Sequence, residues 1–318
     1  LLCCQNVSIG IYLKTIVRAS IFSDIKEGVM HYPVIIIGGG IKGIGILRDL
    51  SMRGIKALLI EQGDLAHGAS SRFHGLLHSG GRYVVNDPEA GAECVSENQI
   101  LRTIAPHSLE ITEGFFVRTA EDSADFEPNW VEACAAVGLE ATPITVKDAL
   151  ALEPNLAPDI KSVYRVADSA VDGFRIVWQN AKSAMRYGGE FRNYSVLKKV
   201  HTANGAVTGI TVYNKILKQD EDIACDFVIN AAGSWAGQVA DMAGVSVNVT
   251  PNRGLLLAFN HRFTDRIVNR LRKPGNGDIF VPHGSITILG TTSVNVENPD
   301  DHTVSYKECM AASYTHLR

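Results

Sequence analysis

The chain has 318 residues, of which 46% are hydrophobic and 20% are charged, and its formal net charge is -4. This composition is typical of a globular protein of one large or two ordinary domains, and it offers no electrostatic basis for nucleic-acid binding. The six cysteines are scattered without a CxxC pair, so the chain shows no zinc or disulfide framework, and we predict no metal and a reducing, cytoplasmic setting.

Residues 1–29 lack an initiating Met and the order of a signal peptide, in which positive charge precedes a continuous apolar core. No apolar run in the chain approaches the roughly 20 residues that a membrane helix needs. We predict that Met30 is the natural start and that residues 1–29 are a non-native or disordered extension. A short amphipathic anchor is the alternative interpretation.

The first predicted elements form a β-α-β unit over residues 34–61. The β-branched run Val34–Ile37 predicts a strand buried on both faces, and the apolar spacing after Gly43 predicts a helix that Gly54 ends. Ala57–Ile60 predicts a second buried strand, and the right-handed crossover makes the two strands parallel.

A glycine motif, Gly38-x-Gly40-x-x-Gly43, lies between that strand and that helix, which is the context of a dinucleotide-binding loop. Gly38 permits the turn, Gly40 lets the backbone approach a pyrophosphate, and Gly43 lets the helix pack closely on the strand. Glu61 ends the second strand, where an acid accepts hydrogen bonds from ribose hydroxyls and repels a 2′-phosphate. The pattern predicts NAD or FAD and disfavours NADP; a glycine-rich turn in a core is the alternative.

Later segments predict further strands and helices. Tyr194–Asn214 predicts a β-meander, with turn signals at Ala203–Gly205 and Thr208–Gly209. The strand Phe227–Ile229 runs into small residues, as the first strand does. Helices are predicted at Glu97–Ile104, Ala124–Val137, Val146–Leu152 and Phe174–Tyr187. Because low-complexity linkers are absent, a second domain must be interleaved with the first.

The stretch GASSRFHGLLHSGGRYVV, residues 68–85, crowds two histidines and several glycines into a short span. Such a stretch brings backbone close to a flat ligand and presents a few polar side chains. His74, His78 and Arg82 share a spacing of four, but the glycines favour a loop over a helix. These three residues are therefore site candidates by proximity alone.

Several segments together resemble the FAD-dependent glycerol-3-phosphate dehydrogenases. They are GGGIKGIGILRDLSMRGIKALLIEQGDLAHGASSRFHGLLHSGGRYVV, SENQILRTIAPH, DSAVDGFR, VINAAGSWA and NRLRKPGNGDIFVPHGSITILGTTS. The resemblance is greatest to the large catalytic subunit of the anaerobic, multi-subunit enzyme, and it favours FAD over NAD as the cofactor. The family's GxRP and GGK-type segments do not appear, so we expect the chain to be C-terminally truncated.

The resemblance implies an α/β fold with a glutathione-reductase-like, FAD-binding Rossmann domain. It also implies an interleaved α+β substrate domain that contains an antiparallel sheet. We predict that residues 30–105 and 172–245 form the FAD-binding domain. Residues 106–171 and 246–318 would form the substrate domain, incomplete at its C-terminus.

The resemblance also implies cofactor contacts at matched positions. Gly38, Gly40 and Gly43 would hold the pyrophosphate, Glu61 the adenosine ribose, and Ser70 and Ser71 would lie near the pyrophosphate or ribityl chain. Val196 would make a backbone contact to adenine, with Ala231, Ala232 and Gly233 near the same half. His78, Ser79 and Gly80 would lie beside the isoalloxazine ring.

The implied reaction is the oxidation of sn-glycerol 3-phosphate to dihydroxyacetone phosphate, with hydride transfer to flavin N5. Partner subunits would carry the electrons to a membrane quinone, on the inner face of the cell membrane. A base accepts the hydroxyl proton; His78 is the first candidate and His74 the second. Arg82 would polarise the oxygen or bind phosphate. Weaker phosphate candidates are Arg253, which stands where a lysine is common, Arg272 and Lys273.

Two other functions remain open. The HSGxxY pattern from His78 to Tyr83 also resembles FAD-dependent 2-hydroxyglutarate oxidoreductases, whose substrate is a 2-hydroxy acid with a second carboxylate. Without the family's C-terminal segments, the chain is alternatively an inactive nucleotide-binding fragment. Dehydrogenase assays and FAD retention separate these possibilities.

Overall fold

The computed structural model describes residues 30–314, with side chains described up to residue 310. The prediction for residues 1–29 therefore lies outside the described residues. Contacts divide the chain into two units. The first unit comprises the described residues up to Gly68 together with Val177–Val249, and the second comprises Ala69–Ile176 together with the residues from Thr250 onward.

Strands and helices follow one another along the whole described chain. The strands are β1 (Met30–Ile37), β2 (Ala57–Ile60), β3 (Leu76–Leu77), β4 (Leu109–Glu110), β5 (Gly114–Arg118), β6 (Thr142–Ile144), β7 (Ser162–Val166), β8 (Ser169–Val171), β9 (Glu190–Arg192), β10 (Ser195–Ala203), β11 (Ala206–Asn214), β12 (Gln219–Asn230), β13 (Asn252–Arg253), β14 (Leu257–Phe259), β15 (Ile267–Arg270), β16 (Ile279–His283), β17 (Ile286–Gly290) and β18 (Val294–Asn295). The α-helices are α1 (Ile41–Met52), α2 (Pro88–Ile104), α3 (Phe126–Ala136), α4 (Val146–Leu152), α5 (Gly173–Arg186), α6 (Ala236–Asp241) and α7 (Tyr306–Tyr314). Short 3₁₀ helices cover Pro106–Ser108 and Gly233–Trp235.

The first unit is built on a six-stranded sheet in the order β10-β11-β12-β1-β2-β9. β12, β1, β2 and β9 are parallel, and β10 to β12 form an antiparallel meander. Val34–Ile37 and Ala57–Ile60 are buried throughout, as the apolar runs predicted. Gly54 follows the C-cap of α1 with a φ of 73°, which confirms it as the glycine that ends the helix. The predicted β-α-β unit and meander are confirmed.

The two turn signals within the meander have different outcomes. Asn204 and Gly205 both have positive φ and form the two-residue turn between β10 and β11. The turn predicted at Thr208–Gly209 is wrong, because Gly209 lies within β11. A Cβ there would lie 2.7 Å from the carbonyl oxygen of Ile223, so the glycine permits close approach of the neighbouring strand.

The second unit contains a seven-stranded sheet in the order β14-β17-β16-β15-β5-β7-β6. Neighbouring strands of this sheet are antiparallel, except that β15 and β5 are parallel. β3, β8 and β4 form a small antiparallel sheet, and β13 pairs with β18. The expectation of an antiparallel sheet is confirmed, and β15, β16 and β17 form part of it. The buried side chains of the second unit include Phe115 and Phe116 on β5 and Trp130 on α3.

The two units are defined by contacts within the structure, whereas the predicted domains follow from the family resemblance. The predicted FAD-binding domain, 30–105 and 172–245, includes residues 69–105 of the second unit. The assignment of a cofactor or substrate role to either part stays a prediction. Among the described residues, each helix is too short or too polar to cross a membrane.

Candidate active site

The glycine-rich loop of the first unit follows β1 directly. Gly38 has a φ of 111° and donates its N–H to the carbonyl oxygen of Ile60 at 2.8 Å. Gly40 is the N-cap of α1 and has no side chain to cap the helix. All residues of α1 are described, and its first turn contains no acidic residue. The helix start therefore presents backbone N–H groups and a partial positive charge that suit a pyrophosphate.

The end of β12 packs against this loop. Ala231 donates its N–H to the carbonyl oxygen of Ile37 at 2.8 Å. A Cβ at Gly38 would lie 2.5 Å from the carbonyl oxygen of Ala231, and a Cβ at Gly43 would collide with the carbonyl oxygen of Gly38. The structure thus brings these predicted cofactor residues together at the carboxyl ends of parallel strands, where open α/β sheets bind ligands.

Glu61 connects the glycine loop with the meander. Its carboxylate accepts the N–H of Gly39 at 2.6 Å and the N–H of Gly63 at 2.7 Å. At the start of β10, Ser195 donates its N–H to the carbonyl oxygen of Glu61 at 2.9 Å, which brings the neighbouring Val196 to the same edge of the sheet. Each carboxylate oxygen has a further lone pair, so Glu61 can still accept from ribose hydroxyls.

The segment after β12 is a tight strand-to-helix turn. The side chain of Asn230 accepts the N–H of Ala232 at 3.2 Å and donates to the carbonyl oxygen of Ala236 at 2.7 Å. Gly233 has a φ of 58° and begins the 3₁₀ helix. Gly233 shapes the turn, and Ala231 and Ala232 both lie close to Gly38 of the glycine loop.

The glycine–histidine stretch of the second unit is a loop interrupted by β3, as predicted. The ring centroids of His74 and His78 are 5.6 Å apart, and those of His78 and Tyr83 are 5.2 Å apart. The Nδ1 of His74 accepts the N–H of Leu76 at 3.1 Å, so the proton of the neutral ring lies on Nε2. Solvent reaches part of each histidine residue, although both rings are largely enclosed by protein.

The electrostatic setting keeps both histidines neutral. Burial of the ring, reinforced by the charge of Arg82, lowers the pKa of His74 to about 4. Burial, then His74 and Arg82, lower the pKa of His78 well below its ordinary value. Burial also lowers the pKa of Arg82, and Asp278 is the opposite charge that counteracts this most. A neutral imidazole is the form that accepts a proton in general-base catalysis.

Other predicted cofactor residues of the second unit flank the histidines. Ser70 and Ser71 are partly accessible, and the carbonyl oxygen of Ser70 lies where a Cβ at Gly173 would be. Ser79 and Gly80 are buried. Gly80 has a φ of 112°, and a Cβ there would lie 2.7 Å from the carbonyl oxygen of Gly91.

Three buried side chains that sequence reasoning missed hold the backbone of this loop. The carboxylate of Asp168 accepts the N–H of Ser79 at 2.7 Å. The indole N–H of Trp130 donates to the carbonyl oxygen of Gly81 at 2.6 Å. The side-chain amide of Asn98 donates to the carbonyl oxygen of His78 at 3.2 Å. The partners are 89, 49 and 20 positions apart in sequence, so spacing does not reveal these bonds, although Asp168 and Asn98 lie in two of the segments that carry the family resemblance. Burial raises the pKa of Asp168.

Two of the weaker phosphate candidates of the second unit, Arg253 and Arg272, already have carboxylate partners. The two Nη2–carboxylate distances from Arg253 to Glu308 are both 3.0 Å. Arg272 forms a short ion pair with Asp278. Lys273 is exposed. A pocket of about 350 Å³ adjoins Arg253 and Glu308.

The class of protein follows from these features. A parallel sheet with a GxGxxG loop, an acid at the end of the second strand and a meander defines a dinucleotide-binding protein. The sequence model of the FAD dependent oxidoreductases matches residues 33–313. The chain belongs to the FAD dependent oxidoreductase family. The prediction of FAD as the cofactor is confirmed by this membership.

The chain is similar in sequence to curated proteins of the kind that the motifs predicted. The chain is 44% identical over 278 residues to the A1 subunit of the anaerobic glycerol-3-phosphate dehydrogenase of Haloferax volcanii, covering 85% of this chain and 47% of that protein. It is 39% identical over 311 residues to the corresponding subunit of the Haemophilus influenzae enzyme, covering 94% of this chain and 55% of that protein. The chain spans about half the length of these relatives.

Solved structures show the same fold at low sequence identity. Glycine oxidase from Geobacillus kaustophilus matches with a TM-score of 0.75 at 21% identity, covering 90% of this chain and 77% of that one. The glycerol-3-phosphate dehydrogenase from Bacillus halodurans, complexed with FAD, matches with a TM-score of 0.67 at 22% identity, covering 89% of this chain and 53% of that one. The predicted α/β fold of an FAD-binding oxidoreductase is confirmed.

Proposed function

We propose that this chain belongs to an enzyme that oxidises sn-glycerol 3-phosphate to dihydroxyacetone phosphate. The support is its family and the names of its relatives, which are anaerobic glycerol-3-phosphate dehydrogenase subunits. Bound FAD supplies the acceptor for the hydride that leaves C2 of the substrate. The chain's own residues then have three tasks: to hold the cofactor, to bind the substrate anion and to accept the hydroxyl proton.

The observation that carries the proposal is the pair of histidine rings with centroids 5.6 Å apart, close enough to the charge of Arg82 that this charge helps to lower the pKa of both. His78 accepts the hydroxyl proton of the substrate at its imidazole, with His74 as the second candidate. Asp278 and Asp168 are negative charges that interact with Arg82, and Arg82 keeps its positive charge, since a guanidinium is not deprotonated in proteins. Arg82 binds the phosphate or polarises the C2 oxygen.

Arg82 suits the substrate anion better than the three weaker candidates do. Arg253 and Arg272 would have to leave their carboxylate partners to bind a phosphate, which costs the energy of those ion pairs. Lys273 is exposed, and an exposed ammonium gains little from an ion pair in water. We therefore place these three residues behind Arg82 as phosphate ligands.

We assign the nucleotide part of FAD to the first unit. Gly38, Gly40 and Gly43 hold the pyrophosphate, and Glu61 holds the adenosine ribose. The backbone of Val196 and the turn Ala231–Gly233 serve the same half of the cofactor. In the second unit, Ser70 and Ser71 serve the pyrophosphate or ribityl chain, and Ser79 and Gly80 serve the flavin ring together with His78.

The names of the relatives also support partner subunits, because each relative is named as one chain of an enzyme with several. We propose that such partners accept electrons from the reduced cofactor and pass them to a membrane quinone. Association with the membrane would then be peripheral, through those partners. Co-purification of the natural protein from its own cells, with quinone reduction by the isolated complex, tests this part.

The test of the activity is the visible flavin spectrum of the chain reconstituted with FAD, recorded under anaerobic conditions. Bleaching by sn-glycerol 3-phosphate, but not by 2-hydroxyglutarate, is the expected result. Bleaching by 2-hydroxyglutarate alone would assign the site to a 2-hydroxy acid instead. A bound flavin that neither compound reduces, or no bound flavin, would overturn the proposed activity for this chain.

A further inference from the structure

We propose that Asp168 is a positioning residue that fixes His78 by holding the N–H of the next residue, Ser79. The kinetic consequence rests on the proposed function, in which His78 accepts the substrate proton. The structural consequence, an immobile backbone at Ser79, does not rest on it. The two parts are therefore tested by separate measurements.

The carboxylate of Asp168 is only 2% exposed and reaches the loop from between β7 and β8. One of its oxygens accepts the N–H of Ser79 at 2.7 Å, and the other accepts the amide of Asn269 at 3.1 Å. A Cβ at Gly114 would lie 2.5 Å from that second oxygen, so the carboxylate is packed tightly on the strand behind it. Asp168 therefore ties the histidine loop to β15 and β5, two neighbouring strands of the seven-stranded sheet.

The opposite side of the same peptide is held as well. The side-chain amide of Asn98 lies 3.2 Å from the carbonyl oxygen of His78 and 3.1 Å from that of Ala167, the residue before Asp168. Both side chains are buried, so water does not replace either bond when it is lost. With its carbonyl and the following N–H both fixed, His78 has a single backbone position from which to present its imidazole.

Arg82 gives a second reason for a carboxylate at this position. Asp168 is one of the negative charges that interact with the Arg82 guanidinium, together with Asp278. Asp168 thus influences the two residues that we place at the substrate, one through a hydrogen bond to the loop and one through its charge. Separating these influences requires a variant that loses the charge and keeps the hydrogen bond.

Asp168→Asn is that variant, because the neighbouring Asn269 has a side-chain oxygen free to accept a hydrogen bond from the new amide. Within the described chain, the Oδ1 of Asn269 is buried without a hydrogen-bond partner. If the Asn269 amide rotates by half a turn, its Oδ1 can accept from the new amide at position 168, whose own oxygen still accepts the N–H of Ser79. Asp168→Ala removes both the charge and the acceptor.

Amide hydrogen exchange measures the structural part with or without cofactor. We expect the Ser79 amide to exchange roughly tenfold faster or more in Asp168→Ala and at close to the wild-type rate in Asp168→Asn. Glu153→Ala is the matched control, because Glu153 is a buried carboxylate that accepts the N–H of Asp265 at 3.0 Å in the same unit. That variant should accelerate exchange at Asp265 and leave Ser79 unchanged. Unchanged exchange at Ser79 in Asp168→Ala would overturn the proposal.

The kinetic part uses the anaerobic rate of flavin reduction by sn-glycerol 3-phosphate in a double-mutant cycle. Asp168→Ala should slow reduction by roughly 10- to 100-fold, and Asp168→Asn by much less, because misplacement of a catalytic group costs rate. If Asp168 acts through His78, adding Asp168→Ala to His78→Ala causes little further loss. Multiplicative losses in the double variant would show a general structural effect and overturn the positioning role. If wild-type flavin is not reduced, the proposed function fails, and the exchange data still decide the structural part.

Discussion

Glu61 and Gly39 are joined by a hydrogen bond of 2.6 Å, from the glycine N–H to the carboxylate. The residue that follows the second strand therefore also fixes the loop that follows the first strand. A second bond, from the N–H of Gly63 at 2.7 Å, holds the other carboxylate oxygen. The acid that the sequence assigns to ribose binding thus shapes the glycine-rich loop before any ligand arrives.

Replacement of Glu61 by alanine should weaken both the fold and FAD binding. Two partly buried N–H groups lose their acceptor, which destabilises the protein by about 1–3 kcal/mol, and the ribose loses its carboxylate. Denaturant unfolding and FAD titration measure the two effects. Glu221→Ala is the control, because it removes an ion pair of 2.8 Å with Arg192 in the same unit. Wild-type FAD affinity in Glu61→Ala would exclude Glu61 as the ribose ligand.

Two glycines of α1 should respond in opposite directions to alanine. A Cβ at Gly43 would collide with the carbonyl oxygen of Gly38, so Gly43→Ala should destabilise the protein by about 1–3 kcal/mol and distort the loop. A Cβ at Gly45 has no described atom within 4 Å, so Gly45→Ala should stabilise the helix by about 0.5–1 kcal/mol. Urea unfolding of both variants checks this. Equal effects at the two positions would contradict the packing argument.

The β-α-β unit could be predicted because its signals are local. Buried parallel strands are continuous apolar runs, and the helix between them has apolar spacing and a terminal glycine. The predicted bounds Ala57–Ile60 and Val146–Leu152 agree with the structure. The helix predicted at Glu97–Ile104 begins earlier, at Pro88, where Asp87 accepts the N–H of Ala90 at 3.1 Å. The sequence signal of that cap is the Asp-Pro pair at residues 87 and 88.

The support of the histidine loop could not be predicted, because it depends on pairs distant in sequence. Asp168 and Asn269, which share a hydrogen bond behind the loop, are 101 positions apart. Gly209 illustrates the opposite problem, since a glycine signals both a turn and close backbone approach, and the sequence does not say which applies. Local patterns therefore supply the candidates for chemistry, and the tertiary contacts supply the candidates for positioning them.

His78→Ala should retain FAD and slow flavin reduction by at least about 10²-fold, because in the proposed reaction the substrate proton loses its acceptor. Anaerobic stopped-flow absorbance with sn-glycerol 3-phosphate measures the rate, and the visible spectrum measures retention of the cofactor. His261→Ala is the control, because His261 is an exposed histidine of the same unit. Unchanged reduction kinetics in His78→Ala would remove His78 from the mechanism.

His74 should make the protein less stable as the pH falls. Its pKa is about 4 in the folded chain, where burial is the main cause, against an ordinary value of 6.5. Between these values the unfolded chain binds more protons, so the free energy of unfolding decreases as the pH falls from about 6.5 to about 4. His78, whose pKa is also lowered, adds to the same trend.

The size of the His74 effect is about 1–3 kcal/mol over that range. Urea unfolding between about pH 7.5 and pH 5 measures it against His74→Asn, which cannot be protonated there. The asparagine oxygen can accept the N–H of Leu76, as Nδ1 of His74 does at 3.1 Å, so the loop keeps that bond. The variant should lose less stability on acidification than the wild type, because one histidine no longer contributes. Equal losses in the two proteins would mean that His74 titrates alike in the folded and unfolded chains.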